Sequence, residues 1–103
     1  EAQFPAISLC YDVGNRVADG FDPCQEFTEI AGLVGEVHIK DRSIGGASAP
    51  LGQGDVDFDK FLSLIDLHKH PLVLETPVGE DWEASANANL VFVQERVGRN
   101  LAT

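Results

Sequence analysis

The sequence is poor in basic residues and in long apolar segments, and it contains no methionine. Only 7 Lys and Arg stand against 17 Asp and Glu, for a formal net charge of −10. Such a surface repels phosphate backbones and anionic lipid headgroups, so we expect neither a nucleic-acid nor a membrane partner. No apolar run approaches the roughly 20 residues that cross a bilayer, and no signal-peptide pattern opens the chain. We therefore expect a cytoplasmic protein.

The sequence contains no methionine and only two cysteines, which bears on where the chain starts and on what the cysteines do. Without a methionine, Glu1 is not expected to be the untouched start of translation, so we expect that an upstream segment was removed. Cys10 and Cys24 do not form a CxxC pair. Cys10 also lies in an apolar run, where a reduced cysteine behaves as a small hydrophobe. We expect neither a disulfide nor a metal-binding role for the two cysteines.

What is present is a threefold repeat of a short strand followed by a helix. The predicted strands cover about 7–12, 36–40 and 72–75, and the predicted helices cover roughly 23–32, a segment from about 58, and a segment from about 82 to 101 after a turn at 77–79. Asp22, Asp57 and Asp81 are the expected helix N-caps. Parallel strands need long crossover connections, so this alternation predicts an α/β fold with a parallel sheet.

The predicted strands alternate apolar and polar residues. In a (β/α)8 barrel the apolar face packs against the helices, and polar side chains at the carboxyl ends of the strands line the active site. An open, doubly wound sheet is covered by helices on both faces and tends to be apolar on both. The alternation therefore favours part of a barrel. The polar residues at the strand ends are Asp12, His38, Lys40 and Glu75.

An Asp, a His and a Glu at three successive strand ends offer a mixed nitrogen and oxygen donor set, which suits Mn²⁺, Co²⁺, Zn²⁺ or Mg²⁺. Polar residues at strand ends also cap loops or form ion pairs, so the spacing alone leaves a metal site open. Lys40 has two interpretations as well. It either binds a substrate phosphate or hydroxyl, or pairs with Asp41, Glu36 or Glu75.

Four further polar residues also have competing interpretations. Arg16 and Arg42 follow strand ends and are either phosphate contacts or solvated loop charges. His68 and His70 precede Pro71, near the predicted end of a helix, and we expect them at the surface or at the helix C-cap.

Four segments together resemble the xylose-isomerase-like family of sugar-phosphate isomerases and epimerases, and within it the pentulose-5-phosphate 3-epimerases. They are C-Y-D-V-G-N at 10–15, V-H-I-K-D at 37–41, L-G-Q-G-D-V-D-F at 51–58 and L-V-L-E at 72–75. The resemblance runs from about Ile7 to Leu101 and corresponds to the sixth, seventh and eighth βα units of the family's barrel. It implies that residues 1–103 are the C-terminal part of a (β/α)8 barrel, with strands 1–5 absent from this chain.

The resemblance also implies a site and a chemistry. Asp12, His38 and Glu75 would bind one divalent metal ion, and Glu75 would also be a catalytic acid or base. Asn15 and Lys40 would contact the substrate, a small sugar or sugar phosphate. In that chemistry a carboxylate moves a proton next to the carbonyl of an open-chain ketose, through an enediolate that the metal stabilises. The family's second carboxylate ends the fifth strand, so this chain alone would lack one catalytic Glu. Whether it is an enzyme by itself stays open.

Three strands cannot close an eight-stranded barrel. The chain is therefore expected to be a piece of an intact enzyme, a fragment completed by self-association or by an N-terminal segment, or a non-catalytic relic that binds sugar or metal. A DNA-repair enzyme of the apurinic-endonuclease type is the weaker alternative. Asn15 stands where related sugar epimerases and those endonucleases often carry His, and an amide is a poor transition-metal ligand, which argues against a three-metal nuclease site. The Asp-Arg-His motif expected in the endonucleases does not follow His38.

Overall fold

The computed structural model describes residues 7–76 and 80–101, with side chains described through residue 97. The elements in order are β1 (Leu9–Asp12), α1 (Val13–Ala18), α2 (Pro23–Ile30), a 3-10 helix (Ala31–Leu33), β2 (Val34–Ile39), β3 (Asp41–Arg42), β4 (Ser48–Ala49), α3 (Phe58–Leu62), β5 (Leu72–Leu74) and α4 (Trp82–Leu101). The turn predicted at 77–79 lies outside the described residues. Within the described ranges, no helix has both the length and the apolar character that crossing a bilayer requires.

Strands β1, β2 and β5 form one sheet in that order, and both pairings are parallel. This confirms the predicted α/β class with a parallel sheet, and all three predicted strands are present. The strand bounds differ slightly from the prediction: β1 begins at Leu9, β2 ends one residue before Lys40, and β5 ends one residue before Glu75.

The pairing of β1 with β2 contains one irregularity. The partners are Leu9 with Val34, then Cys10 with Glu36, Tyr11 with Val37, and Asp12 with His38, so Gly35 is an extra residue on β2. A one-residue change of register moves the following side chains to the opposite face of a strand. A Cβ at Gly35 would lie 2.8 Å from the Cβ of Ser8, so any larger residue there would require the Ser8 side chain to move.

The core lies between the sheet and the helices. Tyr11, Phe27 and Phe61 pack with ring centroids 5.4–5.9 Å apart. Val37 and Ile39 on the same face of β2 are 0% exposed. The predicted apolar face is therefore the one that packs against the helices. The aspartate caps that were predicted for α2 and α3 are present, since Asp22 accepts from two backbone N–H groups and Asp57 from one.

Three features were not predicted. Helix α1 follows β1 directly, because the Asp12 carboxylate caps it and its apolar side chains are buried. The Gly-rich segment after β2 contains the β3–β4 hairpin. His70 is only 5% exposed, so the prediction of a surface or capping residue is wrong. Its Nε2 lies 3.0 Å from the carbonyl oxygen of Ala31, and its ring stands edge-on to Phe27. The ring therefore completes the core beside α2.

Candidate metal centre

Asp12, His38 and Glu75 meet at the carboxyl edge of the sheet. One ligand atom from each residue lies within 4.8 Å of the other two. Asp12 ends β1, His38 lies opposite it on β2, and Glu75 directly follows β5. The backbone N–H of Glu75 donates to the carbonyl oxygen of Ile39 at 3.0 Å, which extends the pairing of β2 with β5 to this residue. The structure thus brings together the three residues that were predicted as metal ligands, while their roles remain predictions.

Among the described residues, the Asp12 carboxylate is held by Asn15 and Lys40. One oxygen accepts the backbone N–H of Asn15 at 3.0 Å, and the other lies 3.3 Å from the ammonium nitrogen of Lys40. Both side chains of the ion pair are mostly buried, with 21% of Lys40 and 18% of Asp12 exposed. Lys40 therefore pairs with a candidate metal ligand, and not with any of the three acidic residues that the sequence suggested.

His38 lies between two carboxylates. Its Nδ1 contacts Glu75, and its Nε2 is 2.5 Å from an oxygen of Glu36. Hydrogen bonding to Glu36 raises the pKa of His38 most, and Glu75 raises it further, while partial burial opposes both. Glu36 was not among the predicted site residues. The signal was available, because Glu36 is two positions before His38 and so shares its strand face.

The Asn15 side chain is held by Arg42. Its amide oxygen accepts from Nη1 of Arg42 at 2.8 Å, and the same guanidinium donates to the carbonyl oxygen of Gly46. This contact directs the amide nitrogen of Asn15 away from Arg42. The guanidinium also fixes the β3–β4 turn, so Arg42 is not a solvated loop charge. The interpretation of Arg42 as a phosphate contact stays a prediction.

Arg16 likewise is not the solvated loop charge that was one of its two interpretations. Its guanidinium forms two hydrogen bonds to the Glu26 carboxylate, at 2.7 and 2.8 Å, and lies 4.0 Å above the ring of Phe21. Glu26 in turn accepts from the hydroxyl of Tyr11. The group links α1, α2 and β1, so Arg16 is a structural contact on the helix side of the sheet.

Cys10 is exposed and Cys24 is buried, and neither forms a disulfide. The sulfur of Cys10 lies within 4.8 Å of ligand atoms of both Glu36 and His38. Partial loss of water raises the pKa of the Cys10 thiol, and the negative charge of Glu36 raises it further. The expectation that Cys10 is a packed hydrophobe is wrong, because its side chain is on the polar face of β1.

Asp41 anchors the loop that borders the site, a role that was not predicted from the sequence. Its side chain is 0% exposed and accepts three backbone N–H groups. They belong to Gly52 at 2.9 Å, Gly54 at 2.9 Å and Val56 at 3.2 Å. A Cβ at Gly54 would lie 2.8 Å from the carbonyl oxygen of Arg42, so the segment can close onto Asp41 only with glycine there. Asp41 thus fixes the long connection between β2 and α3.

No family model matches the sequence, and no curated protein is significantly similar to it. Among solved structures, the chain is similar to a xylose isomerase domain protein from Planctomyces limnophilus, with a TM-score of 0.72 and 21% sequence identity. The alignment covers 94% of this chain and 41% of that one, so this chain spans about two fifths of that protein's length. At this identity the likeness concerns the fold alone. The three parallel strands and their helices have the architecture of part of a xylose isomerase-like domain.

Proposed function

We propose that this chain is the C-terminal part of the (β/α)8 barrel of a metal-dependent sugar-phosphate isomerase or epimerase, of the ketose 3-epimerase type. The observation that carries the proposal is the convergence of Asp12, His38 and Glu75 from three neighbouring parallel strands. The fold likeness to a xylose isomerase domain protein supports the same class of enzyme. Active sites of such barrels lie at this edge of the sheet.

The residues fit a divalent metal ion. They supply two carboxylates and one imidazole within 4.8 Å of one another, a donor set that suits Mn²⁺, Co²⁺, Zn²⁺ or Mg²⁺. Glu36 holds the second nitrogen of the imidazole, as carboxylates commonly do for metal-binding histidines. A divalent ion bound here would act as a Lewis acid on the carbonyl oxygen of an open-chain ketose.

The chain's own residues have distinct parts in the proposed reaction. Glu75 has 41% of its side chain exposed, against 18% for Asp12, so it is the carboxylate with better access to a substrate. It would remove or return a proton at the carbon next to the carbonyl. Lys40 and the amide nitrogen of Asn15 would bind sugar hydroxyl or phosphate oxygens. The second proton-transferring carboxylate would come from outside these 103 residues.

The sheet supports the proposal that further strands complete this barrel. Within the described residues, β1 and β5 each pair on one edge only. Apolar side chains remain open beside those edges, with Leu9 49% exposed on β1 and Val73 38% exposed on β5. Exposed strand edges with apolar residues are usually covered in native proteins. An N-terminal segment or a second copy of the chain would provide that cover.

The proposal is tested on the completed protein, which is this chain together with the N-terminal barrel strands that the proposal requires. Deuterium incorporation from D₂O at C3 of pentulose 5-phosphates is followed by NMR with Mg²⁺ present, because paramagnetic Mn²⁺ would broaden the signals. Glu75→Gln should slow the exchange on the order of 10²- to 10⁴-fold, because general acid–base catalysis contributes about that much. Glu29→Gln is the matched control, since Glu29 is exposed on α2. If Glu75→Gln exchanges as fast as the unaltered protein, Glu75 is not the proton-transferring carboxylate. Metal binding without exchange in the completed protein would instead favour the non-catalytic relic.

A further inference from the structure

A second group of possible metal ligands lies next to the first. Cys10, Glu36 and His38 each offer one ligand atom, and these atoms lie within 4.8 Å of one another. Cys10 and Glu36 are paired across β1 and β2, two residues before the pair of Asp12 and His38. Since residues two apart share a strand face, the two pairs form successive rows on the polar face of the sheet.

The chemistry of this second group differs from that of the first. It contains a thiol, an imidazole and a carboxylate, and thiolate ligands favour Zn²⁺ and other borderline or soft ions over Mg²⁺ and Mn²⁺. Bond lengths of about 2.0–2.3 Å in a tetrahedral Zn²⁺ site place neighbouring ligand atoms about 3.3–3.8 Å apart. The side chains of Cys10 and Glu36 are both accessible to solvent, so they are free to rotate and bring their ligand atoms to that separation.

His38 belongs to both groups, and its two nitrogens point in different directions. Nε2 is directed to Glu36 and Nδ1 to Glu75. A neutral imidazole has one lone pair for a metal and carries a proton on its other nitrogen. When an ion binds at one nitrogen, the other is therefore left as an N–H donor to the opposite carboxylate. Only one of the two groups can use the imidazole at a time.

We propose that Cys10, Glu36 and His38 form a second metal site, for Zn²⁺ or another thiolate-binding ion, that is occupied in competition with the site of Asp12, His38 and Glu75. The proposal of the thiolate site depends only on the positions of Cys10, Glu36 and His38. The competition rests on the proposed function, because it requires that a divalent ion also binds at the first site.

Titration of the reduced protein with Co²⁺ tests the thiolate site. The protein should develop a near-ultraviolet sulfur-to-cobalt charge-transfer band, which Zn²⁺ removes. Cys10→Ser should abolish the band and weaken Zn²⁺ binding on the order of 100-fold, at least as much as the loss of an outer-shell partner costs. Cys24→Ser is the matched control and should keep the band. The site is overturned if the band is absent from the unaltered protein or persists in Cys10→Ser.

Binding of Mn²⁺, followed by electron paramagnetic resonance, tests the competition. Addition of one equivalent of Zn²⁺ should release bound Mn²⁺ from the unaltered protein, and Cys10→Ser should need a far higher Zn²⁺ concentration. Asp12→Asn should lose Mn²⁺ and keep the Co²⁺ band. If Mn²⁺ never binds while the band is present, the proposed function fails and the thiolate site stands. If both ions bind together, the shared use of His38 is refuted.

Discussion

Replacement of Asp41 by asparagine is the most informative test of how the loop beside the candidate site is held. The side chain is 0% exposed, and its two oxygens accept three backbone N–H groups from residues 52–56. The oxygen Oδ2 accepts the N–H groups of Gly52 and Gly54, while Oδ1 accepts that of Val56. Asparagine has the same shape but only one acceptor oxygen.

The expected loss follows from these contacts. The amide oxygen of asparagine can keep the two bonds to Gly52 and Gly54, but they become neutral bonds, which are roughly half as strong as charged ones. The amide nitrogen then faces the N–H of Val56, so one buried donor is left without an acceptor, at about 1–3 kcal/mol. We expect Asp41→Asn to lower the free energy of unfolding by about 3 kcal/mol.

Urea denaturation, followed by circular dichroism, measures this loss. Asp55→Asn is the control, because Asp55 is exposed and accepts a single backbone N–H, from Ile44 at 2.7 Å. That change should cost about 1 kcal/mol or less. If both substitutions have the same effect, Asp41 does not anchor the loop and the reasoning is refuted.

Three further predictions concern the helix side, a close backbone approach and the candidate site. Hydrogen bonds from the guanidinium of Arg16 hold the pKa of Glu26 below its usual value. The ion pair therefore stabilises the folded protein at neutral pH, and this contribution is lost as pH falls through the lowered pKa. Urea unfolding at decreasing pH should show Glu26→Gln about 1 kcal/mol less stable at neutral pH and no different in acid. A Cβ at Gly14 would lie 2.7 Å from the carbonyl oxygen of Lys40, whereas one at Gly32 would meet nothing within 4 Å. Thermal unfolding should therefore show a loss of about 1–3 kcal/mol for Gly14→Ala and almost none for Gly32→Ala. Lys40→Gln removes the ammonium 3.3 Å from Asp12, so Mn²⁺ affinity measured by calorimetry should rise up to about fivefold, and an unchanged or weaker affinity would contradict this.

Hydrophobic periodicity and capping residues were sufficient to predict most of the fold. The alternation in the three strands and the aspartate caps before α2, α3 and α4 gave the order of elements and the parallel sheet. Helix α1 and the β3–β4 hairpin were missed for a common reason. Each is too short to show a periodic pattern of its own. Helix α1 has only six residues after its Asp12 cap, and the hairpin is joined to it by the bond from Arg42 to Asn15, a contact distant in sequence that local patterns do not contain.

The candidate site was predictable to the extent that it follows from parallel strands. Carboxyl ends of neighbouring parallel strands meet, so Asp12, His38 and Glu75 had to converge once the sheet was correct. The cross-strand pairing of Cys10 with Glu36 was not predictable, because it depends on the register between β1 and β2. Periodicity within a single strand carries no information on that register.

The extra glycine in β2 has a consequence for how the site tolerates changes in chain length. Gly35 is the unpaired residue between Val34, opposite Leu9, and Glu36, opposite Cys10. Removal of this one residue would join Val34 to Glu36 and abolish the bulge, while the pairs of Cys10 with Glu36 and of Asp12 with His38 would stay in register. Loss or gain of a single codon at this position is therefore an evolutionary step that the arrangement of candidate ligands can survive. An alignment without gaps near Gly35 would place the ligands on one side of that step one residue out of position.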